Sequence, residues 1–247
     1  MHALVKKMCA RLGLELGLLI AFLLVTWVLS TLAAWYAWHY QDTTSDPLYD
    51  ALFQIFPDLS ETTVPYPNYV GFLQMGVAVL ALKEHQWGYI AQFLFLNGVL
   101  LIVRSLTTTS TLLPNIYVYD YCREVPETFF DVVRMQIEHG TCADYMFSGH
   151  TATVFLLYMF THRHKYSYAF EVVSGVLVGL MMLSLILLRW HYTSDILVAV
   201  VFTWLLFKYY KDYEDTDMWF YFPELKKYDW RCKRSYKTRR VDYSIVN

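Results

Sequence analysis

Charge is scarce in this chain: Asp, Glu, Lys and Arg make up 17% of its 247 residues, while 56% are hydrophobic. A soluble domain of this size seldom has so few charges, and multispanning membrane proteins usually do. Cysteine is also sparse, with four in the sequence. That number suits neither a disulfide-dense fold nor, without a CxxC pair, a zinc site. The chain has no internal repeat, low-complexity tract or evident domain boundary. The formal net charge of −2 points to no charged partner, and nothing in the pattern indicates nucleic acid.

What is present is a series of apolar runs. A bilayer core about 30 Å thick takes roughly 20 helical residues to cross. Six stretches meet or approach this length, at 12–36, 69–84, 87–104, 145–161, 167–188 and 191–208. The second is the shortest and needs flanking residues to span. The first follows Lys6, Lys7 and Arg11, is longer than a signal-peptide core and lacks a small-residue cleavage site, so it reads as a retained span.

Lysine and arginine set the orientation. Apart from Arg104, Arg123, Arg134 and Arg189, all 20 basic residues fall in the N-terminal arm, at the Lys83 turn, at Arg163 and Lys165, or after Phe207. The connector 41–67 has none and carries Asp42, Asp46, Asp50, Asp58 and Glu61 instead; 105–144 is also net acidic. The expected fold is therefore an all-α membrane protein, a six-transmembrane helix bundle forming a single domain with both termini cytosolic. Residues 209–247 form a basic cytosolic tail. Cys122 and Cys142 fall on the far side, where a disulfide between them is an open expectation.

Two polar motifs bracket the fourth and fifth spans, CADYMFSGHT at 142–151 and HYTSD at 191–195. The hairpin between them returns to the side it left, so His150 and His191 should meet at one face, each at the start of a helix. Helix N-termini favour anions through free amides and the helix dipole. Ser148 can cap such a helix, and Gly149 lets backbone approach a phosphate. Asp195, four residues after His191, lies one turn along the same helical face and can hold one ring nitrogen while leaving the other reactive. Histidine and aspartate at a membrane edge are costly, which makes a functional role the default. A structural ion pair is the plainer alternative for His191 and Asp195.

These motifs resemble the third and fourth signatures of sphingomyelin synthases and related sphingolipid synthases, CGDYLFSGHT and HYTVD. Residues 104–114, RSLTTTSTLLP, are similar to the second signature, and 46–50, DPLYD, loosely to the first. The resemblance implies transfer of a phosphorylated head group (phosphocholine, phosphoethanolamine or phosphoinositol) from a glycerophospholipid donor to a ceramide acceptor, releasing diacylglycerol. It implies a phosphohistidine intermediate in which His191 is the nucleophile, Asp195 orients it, and His150 is acid and then base. Asp144 matches a signature aspartate that would meet a cationic head group or hold a histidine; a helix cap is the plainer reading. Arg104 would pair with the lipid phosphate or, more plainly, snorkel to the interface. Glu124, Glu127 and Glu138 are further candidates for head-group contacts. The scheme needs no metal or other cofactor.

Ala143 and Ser194 depart from the signatures without removing a reacting group. Type 2 phosphatidic acid phosphatases share the SGH and His-x3-Asp arrangement but place an arginine six residues before the second histidine, where Leu185 stands here. This favours transferase over lipid phosphate phosphatase. A non-catalytic transporter or scaffold is a third reading. The expected location is the Golgi or plasma membrane, with the site facing the lumen or exterior. A homo-oligomer and the identity of the head group are left open.

Overall fold

The computed structural model describes residues 2–41, 46–61, 66–81, 87–114, 116, 125–138, 145–164 and 167–215. Among them there are eight helices and no strand: α1 (His2–Tyr40), α2 (Ala51–Ile55), α3 (Tyr66–Ala81), α4 (Trp87–Ser110), α5 (Phe129–Glu138), α6 (Gly149–His164), α7 (Tyr168–Leu187) and α8 (Thr193–Asp215). Cys122, Cys142, Asp144, Glu124 and residues 216–247 of the basic tail lie outside the described residues, whereas 209–215 continue α8.

Four helical stretches are long and apolar enough to cross a membrane, Leu14–Tyr40, Ile90–Ser110, Tyr168–Leu187 and Thr193–Lys211. The chain is accordingly an integral membrane protein. The other two expected spans are the helices α3 and α6, of 16 residues each. At 1.5 Å per residue each is about 24 Å long, less than the roughly 30 Å core.

Residue choice along α1 shows which solvent the bundle is built for. Thr26, Ser30, Thr31, Ala33, Ala34 and Ala37 are buried, while Leu24, Val25, Leu29 and Leu32 are exposed. Small and weakly polar side chains inside, with large aliphatic ones outside, is the packing expected where lipid replaces water. Two of the buried hydroxyls bond within the helix: Thr26 Oγ1 donates to the Leu23 carbonyl and Thr31 Oγ1 to that of Trp27. α3 repeats the pattern, with buried Gln74 donating to Ser174 of α7 while Phe72, Leu73 and Val79 face out.

α6 is the central helix, packed against α3, α4, α7 and α8. Its Ala152, Leu156 and Phe160 join Leu96 and Leu100 of α4 and Ala199 and Phe207 of α8 in one apolar cluster. Val154 faces the other way, into a cluster with Val178, Met181, Leu185 and Ile196. α1 packs on α4, and α5 lies on α1. Thr128 and Asp131 start α5 with reciprocal bonds, Thr128 N–H donating to the Asp131 carboxylate (2.8 Å) and Asp131 N–H to Thr128 Oγ1 (3.3 Å). This is a capping box with aspartate in place of the usual glutamate.

The chain leaves α7 through a turn that sets up the site. Trp190 N–H reaches the Leu185 carbonyl and Arg189 N–H that of Ile186, with Arg189 at φ 58. This is the Schellman arrangement, which usually has glycine at the left-handed position. Arginine there costs roughly 1 kcal/mol. Its side chain offsets that cost: Nη2 donates to the Phe53 carbonyl (2.7 Å) and the Phe56 carbonyl (3.1 Å), and the guanidinium lies 4.1 Å from the Phe53 ring centroid.

Candidate active site

At one end of the bundle α4 and α7 finish and α3, α6 and α8 begin. Tyr145 to Ser148 form a turn, with Met146 at φ 81, so α6 starts at Gly149 rather than at residue 145. Ser148 caps it by accepting from Thr151 N–H (3.3 Å), as its place before the helix leads one to expect. The amide of Ser148 in turn donates to the Asp195 carbonyl at 3.3 Å. That bond joins the SGHT stretch to the HYTSD stretch.

His191 sits in the turn two residues before α8, which begins at Thr193, and not on the helix itself. The expected pairing forms nonetheless, because Asp195 points back out of the first turn: its Oδ2 lies 3.3 Å from His191 Nδ1 and accepts from Tyr192 N–H at 3.1 Å. Ser194 Oγ donates to Oδ1 at 3.2 Å, so the serine that departs from the family signature supports the carboxylate. Asp195 is wholly buried and His191 nearly so. The two carboxylate oxygens thus meet the His191 ring, the Tyr192 amide and the Ser194 hydroxyl.

His150 is the second residue of α6. Its ring meets that of Trp190, the residue before His191, with centroids 5.9 Å apart, and its Nε2 lies 3.2 Å from Asn68 Oδ1 on α3. His191 and Arg104 lie within electrostatic reach of it. Arg104 lies well inside α4, six residues before its end, and its guanidinium packs on Gly149: a Cβ there would fall 3.0 Å from Nη1 and 3.3 Å from Cζ. The glycine is thus needed for close approach of a cation to the start of α6. The end of the bundle therefore gathers His150, His191, Asp195, Ser148, Gly149 and Arg104. Among the described residues, no three His, Cys, Asp or Glu side chains are grouped to hold a metal ion.

Several supports were not legible in the sequence. Tyr192 OH accepts from Leu48 N–H (3.0 Å) and donates to the Pro114 carbonyl (3.1 Å), and Tyr145 OH accepts from Ile116 N–H (3.3 Å). Buried Asp50 accepts from Thr193 N–H (2.6 Å), Thr193 Oγ1 (2.7 Å) and Leu52 N–H (3.0 Å), capping α2 and fixing the start of α8 at once. Tyr192 and Asp50 thus tie together the stretches 46–50, 104–114 and 191–195, while Tyr145 holds Ile116 just past the second of them. The only prior signal was that Tyr145, Tyr192 and Asp50 lie inside those stretches.

Residues 141–212, which carry both histidines and Asp195, match the family described as PAP2 superfamily C-terminal. The chain is 27% identical over 157 residues to a Caenorhabditis elegans protein provisionally named phosphatidylcholine:ceramide cholinephosphotransferase 3, covering 57% of this chain and 46% of that one. It is 30% identical over 121 residues to the phosphatidylethanolamine:ceramide ethanolaminephosphotransferase of Trypanosoma brucei brucei, covering 45% and 37%. The matched stretch spans less than half the length of either relative. The chain thus carries a PAP2 superfamily C-terminal domain at 141–212 and is a homologue of proteins named as ceramide phosphoalcohol transferases.

Proposed function

We propose that the protein is a sphingolipid synthase that moves a phosphoalcohol head group from a glycerophospholipid to ceramide and releases diacylglycerol. The observation that carries this reading is the pairing of His191 Nδ1 with buried Asp195, docked against the start of α6 by the Ser148 amide. With Nδ1 held, His191 attacks the donor phosphorus through Nε2, and Asp195 stabilises the positive charge that develops on the ring. The P–N bond forms as the bond from phosphorus to the glycerol oxygen breaks, and His150 gives that oxygen a proton. In the second half, the primary hydroxyl of ceramide loses its proton to His150 and attacks phosphorus, and the P–N bond to His191 breaks.

Arg104 and the first amides of α6 bind the phosphate through both displacements, where preorganised positive charge is worth most. With six spans and cytosolic termini, the site would face the non-cytosolic side of a Golgi or plasma membrane. Asp144 is proposed as a head-group contact from its match to the signature aspartate. The supports for this reading are the gathered residues, the basic flanks and the two named homologues.

A lipid phosphate phosphatase, in which water replaces ceramide, is the second reading, favoured by the PAP2 superfamily match. Purified protein given phosphatidylcholine, phosphatidylethanolamine or phosphatidylinositol with labelled ceramide separates the two by lipid mass spectrometry. A labelled sphingophospholipid supports the transferase; free phosphate from phosphatidic acid with no sphingolipid product would replace it with the phosphatase. Neither product would leave a non-catalytic transporter or scaffold.

A further inference from the structure

The two histidines differ in what holds them. His191 Nδ1 meets a carboxylate, Asp195, whereas His150 Nε2 meets an uncharged amide oxygen, Asn68 Oδ1, at 3.2 Å. Asn68 is in the first turn of α3, 82 residues from His150, and belongs to none of the signature-like stretches. The groups around the His150 ring are Trp190 on one side and, within electrostatic reach, His191 and Arg104. Asn68 supplies a hydrogen-bonding side chain at a ring nitrogen.

We infer that Asn68 is the positioning residue for His150, and that its lack of charge lets one imidazole serve as acid in the first half-reaction and base in the second. The inference rests on the roles given to His150 above. The carbonyl oxygen accepts the Nε2 proton and fixes the ring, leaving Nδ1 as the atom that gives a proton to the glycerol oxygen and later takes one from ceramide. A carboxylate at the same point would favour the doubly protonated ring. That would serve the first half and hinder the second, in which Nδ1 must be unprotonated.

The test uses Asn68→Ala and Asn68→Asp in the full-length protein in nanodiscs, with the two half-reactions followed separately. Release of diacylglycerol in the absence of ceramide reads the first, and discharge of the phosphorylated enzyme on adding ceramide reads the second. Asn68→Ala should slow both by about 10- to 100-fold, less than the roughly 10²- to 10⁴-fold that a general acid–base contributes. It should add little to His150→Ala, because the two changes act on one group. Asn68→Asp should retain the first half-reaction and slow the second, so that head-group-modified enzyme accumulates in the intact mass. Equal losses in both halves with Asn68→Asp, or full additivity with His150→Ala, would overturn the inference.

A readout without turnover keeps it separate from the proposed reaction. The ¹⁵N ring signals of His150, assigned by comparison with His150→Ala, should titrate at higher pH in Asn68→Asp than in the wild type. An unchanged titration would refute Asn68 as the partner of His150 even if the enzyme acts on another lipid. A shifted titration with no transfer to ceramide would instead leave the contact standing and remove the assigned reaction.

Discussion

Asp50 and Thr193 lie 143 residues apart and are joined twice, the carboxylate accepting from the Thr193 amide at 2.6 Å and from its hydroxyl at 2.7 Å. The bond pair fixes where α8 begins, and so where His191 is presented. Asp50→Ala leaves the Thr193 amide and the Leu52 amide without this acceptor. A loss of about 2 kcal/mol is expected, read as a lower melting temperature in detergent, with a further fall in turnover at a temperature where the variant is folded. An unchanged turnover would mean that the start of α8 is held by other contacts.

Arg189 combines a left-handed backbone with a side chain that ties α2 to the end of α7. Arg189→Gly removes the backbone cost along with the side chain, whereas Arg189→Ala removes only the side chain. Stability should fall in the order wild type, glycine variant, alanine variant, the last two differing by roughly 1 kcal/mol. Thermal unfolding of the three proteins checks the order; an alanine variant as stable as the glycine variant would refute the strain argument.

Gly149 lets Arg104 approach α6. The nearest atom to an added Cβ is the flexible end of the guanidinium, so Gly149→Ala should fold and displace that group by a few tenths of an ångström. The expected result is a raised KM for the donor lipid. Arg104→Lys should raise it too, since an ammonium cannot reproduce the planar two-pronged contact with phosphate. Unaltered kinetics in both would make Arg104 a packing residue.

Asp131 is drawn below the usual carboxylate range by the hydroxyl and the amide of Thr128, outside the membrane-spanning segments. Its contribution to α5 is present above the unfolded-state pKa and is lost as pH falls through the lower folded value. Hydrogen exchange across 129–136, corrected for intrinsic rates, should therefore accelerate on acidification below about pH 4, and Asp131→Asn should show part of that loss at neutral pH. Insensitivity of the variant would remove the capping box as the cause.

The site histidines were legible because their chemistry is local. His191 and Asp195 are four apart, and Ser148 and Gly149 directly precede His150, so spacing alone implied the pairing and the cap. The helical hairpin between the motifs was equally plain from hydropathy. What escaped reading is what depends on distant partners: Asn68 meets His150 across 82 residues and Tyr192 meets Leu48 across 144. Helix starts were misjudged by two to four residues at 145 and 191, because Met146 at positive φ and the arginine in the Schellman position break the chain where no glycine warns of a turn.

The decisive measurement is peptide mass spectrometry of enzyme quenched after mixing with glycerophospholipid donor in the absence of ceramide. The mechanism requires the phosphoalcohol on His191, gone after ceramide is added, and absent from His191→Ala, which should lose at least about 10²-fold in transfer. Transfer to ceramide that persists at full rate in His191→Ala, or an adduct on any other residue, would refute it.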